Sequence, residues 1–176
     1  SCTDSVLIVA GKHWEKYELG KNQETIKLQP GIVGGRVNQI LKPYSRVFPP
    51  DPASIGSAMV GGIVVNNASG MNCGVHANSD RMLISARIIL ADGTILDTGD
   101  EQSREEFRKT HLAFLQHIEM LRDKVRADEE LADRIAKKYS IKNVTGLNLR
   151  PLVAYDYPFD IIAHSMVGSE GTLAFL

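Results

Sequence analysis

The stretch from Pro49 to Gly70 is the part of the sequence best suited to ligand chemistry. It begins Pro-Pro-Asp-Pro, which stiffens the backbone, continues through small hydroxyl residues to a Gly-Gly pair, and ends Asn-Asn-Ala-Ser-Gly. Glycine lets a backbone approach a ligand closely, and backbone N–H groups clustered with short polar side chains suit phosphate and ribose. The stretch therefore predicts one wall of a nucleotide cofactor site.

A second candidate is the Gly-Ser-Glu-Gly-Thr sequence at residues 168–172. Gly168 is well suited to end a helix in the left-handed conformation. Glu170, between two glycines and before a predicted strand, could accept hydrogen bonds from a ribose or an adenine amine. On these residues alone, an ordinary helix-to-strand turn with a solvated Glu170 is an equally good interpretation.

Other polar or glycine-rich positions favour structural roles. Gly31–Gly35 lacks the G-x-G-x-x-G spacing, and no parallel βαβ unit with a ribose-binding acid follows it, so a turn into a short helix over 36–42 is preferred. His76 and Asp80 could ligate or catalyse, but no second His or Cys stands at metal spacing. Surface or cap roles are therefore favoured for both, and no metal site is predicted.

Composition excludes several classes of function. The 176 residues are 43% hydrophobic with a net charge of −1, which predicts neither nucleic-acid nor anionic-membrane binding. No apolar run is long enough to span a bilayer. Cys2 and Cys73 make no disulfide framework and indicate reduced thiols in a cytoplasmic protein. A first residue that is not Met, and strand-like sequence at both ends, suggest a fragment of a longer protein.

The periodicity predicts the elements that position these candidates. Strands are expected over 5–9 and 24–29, and a hairpin is expected from 83–90 and 94–98 around Ala-Asp-Gly. Residues 101–139 contain no Gly or Pro and predict a helical pair. Its first helix has about six turns, and Asp128 caps the second. A further short helix starts near Pro158.

Together these segments resemble a known family. The residues that carry the resemblance are Pro49-Pro50-Asp51-Pro52-x-Ser54, Gly61-Gly62-Ile63-x-x-Asn66-Asn67-Ala68-Ser69-Gly70, Gly74 with Asp80, Leu90-Ala91-Asp92-Gly93 and Gly168 to Leu173. In this order they resemble the FAD-linked oxidases of the vanillyl-alcohol oxidase type, which include D-lactate dehydrogenases and the FAD subunit of glycolate oxidase. Residues 141–146 and 158–162, with a helical insertion at 101–139, resemble the large bacterial branch that combines flavin with iron–sulfur clusters and acts on D-lactate or D-2-hydroxyglutarate.

The resemblance implies an α+β fold, with a mainly antiparallel sheet flanked by helices. The chain would be part of an FAD-binding domain, its second subdomain, with the helical pair inserted. FAD is the implied cofactor, and any iron–sulfur cluster would belong to the rest of the parent protein. The implied FAD contacts are Asp51, Pro52, Ser54, Ser57, Gly61, Gly62, Asn66, Asn67, Ala68, Ser69, Gly70, Glu170, Gly171, Thr172 and Leu173. The Gly61-Gly62 pair is expected to be the point of closest backbone approach to the flavin.

The implied activity is oxidation of a D-2-hydroxy acid by hydride transfer to the flavin, with electrons leaving to an acceptor other than nicotinamide. The family's pyrophosphate loop would precede Ser1, and its substrate-binding and catalytic groups would follow Leu176, so no catalytic residue is assigned here. None of the 5 histidines matches a catalytic position of the family. Two alternatives remain open: a non-catalytic, FAD-poor domain of the same fold, and a nicotinamide enzyme that uses Gly31–Gly35.

Overall fold

A computed structural model describes residues 9–70 and 74–176. The chain divides into two compact units: Ser1–Phe48 with Ala53–Gly61, and Pro49–Pro52 with Gly62–Leu176. The α+β fold class with antiparallel sheets is confirmed, because helices alternate with two-stranded antiparallel sheets. Cys2, Cys73 and the predicted strand over 5–9, apart from Val9, lie outside the described residues.

The first unit is built on a β-hairpin and one helix. Strands β1 (Tyr17–Leu19) and β2 (Ile26–Leu28) pair antiparallel, and helix α1 spans Gly34–Leu41. The sequence predicted β2 and α1, whereas β1 was not predicted. Short 3-10 turns lie at Lys12–Trp14, Lys21–Gln23 and Lys42–Tyr44.

The first turn of α1 is occupied by the chain itself. The N–H groups of Gly34 and Gly35 donate to the carbonyls of Ala58 (3.0 Å) and Ile55 (2.8 Å). Buried Ile32 and Val37 fix this arrangement. A helix N-terminus binds phosphate through free N–H groups. The glycines of the nicotinamide alternative are therefore bonded to backbone, as the preferred interpretation of a structural turn requires.

The second unit packs helices against a hairpin. The elements are α2 (Val60–Val65, which starts in the first unit), α3 (Ser79–Met82), β3 (Arg87–Ile89), β4 (Ile95–Asp97), α4 (Glu101–Thr110), α5 (Leu112–Ala127), α6 (Glu129–Lys138), α7 (Arg150–Ala154) and α8 (Pro158–Ser165). The predicted hairpin is confirmed, since β3 and β4 pair antiparallel. Phe175 adds a bridge to Ile89 on β3. Ile88, Leu96 and Phe159 are fully buried at the centre of the core.

The long first helix predicted within 101–139 is wrong in one respect, because it is two helices. The chain breaks between α4 and α5 at His111 (φ −125°, ψ 33°). The His111 ring stacks on Phe107 at 4.3 Å, and its Nε2 lies 3.2 Å from Asp92 Oδ2 at the β3–β4 turn. These tertiary contacts hold the break. The predicted cap of the next helix is confirmed, since Asp128 Oδ1 accepts from Leu131 N at 3.0 Å.

One arginine fixes the end of α7. Arg126 on α5 donates to the carbonyls of Leu152, Val153 and Tyr155, at 3.1, 3.1 and 2.7 Å, and pairs with Asp156. The last carbonyls of a helix have no partner within the helix. Arg126 therefore supplies their hydrogen bonds and directs the chain into α8. In the part of the chain that the structure describes, no helix is long and apolar enough to cross a membrane.

Candidate cofactor site

The loop of residues 66–70 begins with a helix-ending turn. Asn67 has φ +46°, its N–H donates to Val64 O at 2.9 Å, and Ala68 N–H donates to Ile63 O at 2.8 Å. This bond pair is the Schellman motif, which requires a left-handed residue just after the helix. Asparagine is one of the few residues with a side chain that accept this conformation readily. The second Asn of the Asn-Asn pair thus has a backbone role.

The side chains of this loop leave buried polar atoms unpartnered. Asn67 is 3% exposed, and its Nδ2 donates to Asn143 O at 3.5 Å, but its Oδ1 has no hydrogen-bond partner in the described chain. Ser69 Oγ is also buried, with no partner among the residues that the structure describes. An unmade buried hydrogen bond costs about 1–3 kcal/mol, so such atoms in a native structure require an explanation. A carbonyl acceptor and a hydroxyl suit the neutral polar groups of a flavin or its ribityl chain. The residues therefore fit FAD.

The Glu170 turn lies against this loop. Glu170 N–H donates to Val65 O at 2.8 Å, at the end of α2. The turn has three left-handed positions within four residues, Gly168 (φ +83°), Glu170 (φ +53°) and Gly171 (φ +74°). Buried Ser169 anchors it, because its carbonyl accepts from Thr172 Oγ1 at 2.6 Å. The left-handed conformation predicted for Gly168 is confirmed. The Glu170 side chain and the chain from Gly171 to Leu173 are exposed.

Asp51 and Pro52 meet the loop on another side. The carbonyl of Asp51 lies so close to Gly70 that a Cβ built on Gly70 would stand 1.7 Å from that oxygen. Pro50 and Pro52 on either side of Asp51 are buried. Position 70 thus requires glycine, because the Asp51 backbone occupies the space that a side chain would need. The close approach at Gly70 is made by the chain's own backbone.

The remaining predicted contacts are placed differently. Ser54 and Ser57 belong to the first unit, where Ser57 N–H donates to Ser54 O at 2.8 Å and both residues are exposed. Gly61, also of the first unit, packs on Pro30, whose Cβ would be 2.6 Å from a Cβ added there. Gly62 of the second unit is exposed with nothing within 4 Å of such a Cβ. Within the second unit, the loop is contacted by Asp51 and by the Glu170 turn. Ser54, Ser57, Gly61 and Gly62 as FAD contacts stay predictions.

Sequence reasoning missed a third segment at this loop. Lys142 Nζ donates to Gly70 O at 3.0 Å, and Asn143 O accepts the bond from Asn67. The carbonyl of Gly146, in turn, lies 3.3 Å from a Cβ position at Gly168. Residues 141–146 therefore touch both the loop and the start of the Glu170 turn. The sequence signal for this segment was its resemblance to one branch of the family. That resemblance did not indicate where in the fold the segment lies.

A buried polar cluster lies elsewhere in the second unit, and it corrects the expectation for Asp80. Asp80 is not a surface residue: it is 6% exposed, with Arg81 Nε and Arg150 Nη1 each 3.9 Å from its Oδ2. Burial raises the pKa of Asp80, although both arginines oppose this. No local pattern in the sequence indicates this burial, because Arg150 on α7 is distant along the chain. His76, by contrast, is exposed as expected.

His164 on α8 belongs to this cluster. Its ring stacks on Tyr155 at 4.2 Å, and Tyr155 OH lies 3.3 Å from its Nδ1. Burial lowers the pKa of His164 to about 4, since the hydrogen bond to the Asp80 backbone only partly offsets the lost solvation. His164 is therefore a neutral packing residue at neutral pH. No group of three or more His, Cys, Asp or Glu residues within 9–70 and 74–176 is arranged to hold a metal ion.

Comparison with known proteins identifies the family. Residues 1–99, more than half of the chain, match the FAD binding domain family. The chain belongs to this family. The resemblance to FAD-linked oxidases is confirmed, and FAD is the cofactor of the FAD binding domain.

The relatives of this chain are dehydrogenase and oxidase proteins by name. The chain is 25% identical to a D-2-hydroxyglutarate dehydrogenase of Haemophilus influenzae, over 100% of the chain and 18% of that protein. It is 24% identical to the D-2-hydroxyglutarate dehydrogenase of Escherichia coli, over 97% of the chain and 17% of that protein. Glycolate oxidase subunit GlcD of Escherichia coli is 26% identical over 54% of the chain. The chain thus spans less than a fifth of these relatives, and no solved structure matches it.

Proposed function

We propose that this chain forms part of the FAD site of a dehydrogenase that oxidises a small D-2-hydroxy acid to the 2-oxo acid. The observation that carries the proposal is the pair of buried atoms Asn67 Oδ1 and Ser69 Oγ, which have no hydrogen-bond partner among the described residues. They lie on the loop that follows α2, and the Glu170 turn contacts the end of that helix at Val65. The family resemblance implies FAD contacts at Asn67 and Ser69, which supports the proposal. Support for the substrate class comes from D-2-hydroxyglutarate dehydrogenases that align with the whole chain.

The chain's own residues would bind and orient the cofactor rather than carry out proton transfer. Bound FAD would supply the two-electron acceptor for the hydrogen on the hydroxyl-bearing carbon, while a base takes the hydroxyl proton. His164 is a poor candidate for this base, because it is buried against Tyr155 and its pKa is far below neutral. We therefore propose that this base lies outside the chain. We also propose that the protein is cytoplasmic and that its electron acceptor is not nicotinamide.

The decisive experiment removes the Asn67 side chain without disturbing its backbone. Asn67→Gly keeps the left-handed conformation and deletes Oδ1, and should weaken FAD binding about threefold to tenfold, as expected for one neutral hydrogen bond. Asn22→Gly is the matched control: Asn22 also has a positive φ (+57°) but lies exposed in a 3-10 turn of the first unit. FAD affinity would be measured by quenching of flavin fluorescence in the full-length protein. Equal affinities for the two variants would contradict the role of Asn67.

The activity is tested with D-lactate, D-2-hydroxyglutarate and glycolate, using an artificial dye as electron acceptor. Turnover of a D-2-hydroxy acid by the full-length, FAD-loaded protein is expected. A correctly folded full-length protein that takes up no FAD would overturn the proposal. The alternative of an FAD-poor, non-catalytic domain applies to the 176-residue chain alone. Stoichiometric FAD retained by that chain through gel filtration would exclude it.

A further inference from the structure

The segment of residues 141–146 places a cation on the candidate cofactor loop. Lys142 Nζ uses one of its three protons for Gly70 O, at 3.0 Å. No carboxylate of the described residues lies within 4 Å of this ammonium. By contrast, a carboxylate lies within that distance of six arginines: Arg81, Arg104, Arg108, Arg122, Arg126 and Arg150. The remaining protons of Lys142 are therefore available to a ligand.

The charges of the loop's surroundings make such a cation significant. Residues 66–70 are uncharged, and Asp51 and Glu170 at the predicted contacts are both acidic. FAD and a 2-hydroxy acid are both anionic, and the 66–70 loop has no cation of its own to bind them. Lys142 supplies a cation from a position fixed at Gly70. Its neighbour Asn143 is itself held at Asn67, whose unpartnered Oδ1 marks the same place as a ligand contact.

We propose that Lys142 binds an anionic oxygen of the bound ligands, either a phosphate of FAD or the carboxylate of the 2-hydroxy acid. Resting on the proposed function, this extends the site by a residue of the 141–146 segment. The charged hydrogen bond explains why a lysine is held against a loop of neutral side chains. Asn143, through its carbonyl, is a positioning residue for the Asn67 amide.

The first test measures the reactivity of the lysine itself. Full-length protein is treated with an amine-acetylating reagent, with and without FAD and with and without oxalate as an unreactive dicarboxylate. Acetylation is then quantified by mass spectrometry at Lys142 and at Lys137, an exposed lysine of α6. Protection of Lys142 alone, by FAD or by oxalate, is the expected result. Protein that binds FAD while acetylation of Lys142 is unchanged by either ligand overturns the inference and leaves the proposed function intact.

The second test identifies the anionic group. Lys142→Met should weaken binding about tenfold for one class of ligand, Lys142→Arg should restore most of it, and Lys137→Met should have no effect. Weaker FAD binding with unchanged riboflavin binding indicates the phosphate, because riboflavin has none. Unchanged FAD binding with weaker oxalate binding and a higher KM for the hydroxy acid indicates the carboxylate. Unchanged affinity for all ligands overturns the inference. If Lys142→Met fails to fold, the acetylation result on the unmodified protein decides.

Discussion

Replacing Gly70 with alanine should disrupt the candidate site through a backbone collision. The new Cβ would stand 1.7 Å from the carbonyl oxygen of Asp51 and 2.7 Å from its carbon, far inside contact distance. Asp51 cannot easily move away, because Pro50 and Pro52 restrict its backbone and are buried. Either the 49–52 segment or the 66–70 loop must therefore shift.

The expected cost is that of forcing extra volume into packed structure, about 2–3 kcal/mol of unfolding free energy. For a chain of this size, that corresponds to a Tm lower by roughly 4–12 °C. Gly62→Ala is the matched control, since nothing lies within 4 Å of a Cβ there. Because Gly62 is inside helix α2, alanine should stabilise by about 0.5–1 kcal/mol.

Urea unfolding followed by circular dichroism measures both changes, and hydrogen–deuterium exchange locates them. In Gly70→Ala, the amide of Glu170 should exchange faster, because its bond to Val65 depends on the position of the loop. A Gly70→Ala variant as stable as the unmodified protein, with unchanged exchange at Glu170, would refute the account of why Gly70 is a glycine.

Two further predictions concern the second unit. Arg126→Met should lower the unfolding free energy by about 2 kcal/mol, because the carbonyls at the end of α7 lose their charged donor. Urea unfolding measures this change, and Lys124→Met, at an exposed neighbouring position on α5, is the control. A loss of stability in Arg126→Met no larger than in Lys124→Met would contradict the prediction. The pKa of His164 is about 4 in the folded protein, against an ordinary 6.5. Between pH 4 and pH 6.5, only the unfolded chain therefore binds a proton at His164. The unfolding free energy should fall by up to about 3 kcal/mol as the pH drops from 6.5 to 4. The raised pKa of Asp80 changes stability in the opposite direction over the same pH range. We therefore compare the pH dependence of stability in the unmodified protein and in His164→Gln, since both contain Asp80. Identical slopes would show that His164 does not titrate as described.

Local signals in the sequence were sufficient where an element is determined by its own residues. The hairpin around Asp92 follows from alternation and a turn, and α6 begins where Asp128 can cap it. The loop at 66–70 and the Glu170 turn were recognised from residue types that suit tight backbone. The family resemblance implied that both segments contact FAD, but their proximity to each other could not be derived from spacing.

Features that depend on distant partners were missed. The break at His111 is held by Asp92, and the burial of Asp80 depends on Arg150. Val60–Val65 carries β-branched residues and a Gly pair, yet it is helical and ends in a left-handed Asn67. Gly61 packs on Pro30, a contact that the glycine pair itself does not indicate, and the pair's role as an FAD contact stays a prediction. In each case the deciding contact is with a residue that no local pattern indicates.

The hydrogen bonds between the loop and the 141–146 segment have a consequence for biosynthesis. They join residues 76 and 72 positions apart along the chain, Asn67 to Asn143 and Gly70 to Lys142. A ribosome adds about 5–20 residues per second, so the loop emerges roughly 4–15 s before these partners do. During that interval the turn at Asn67 can form from its own helix, but its amide and the Gly70 carbonyl remain bound to water or to a chaperone. Capture of the cofactor is therefore expected only after the helices α4 to α6 have left the exit tunnel.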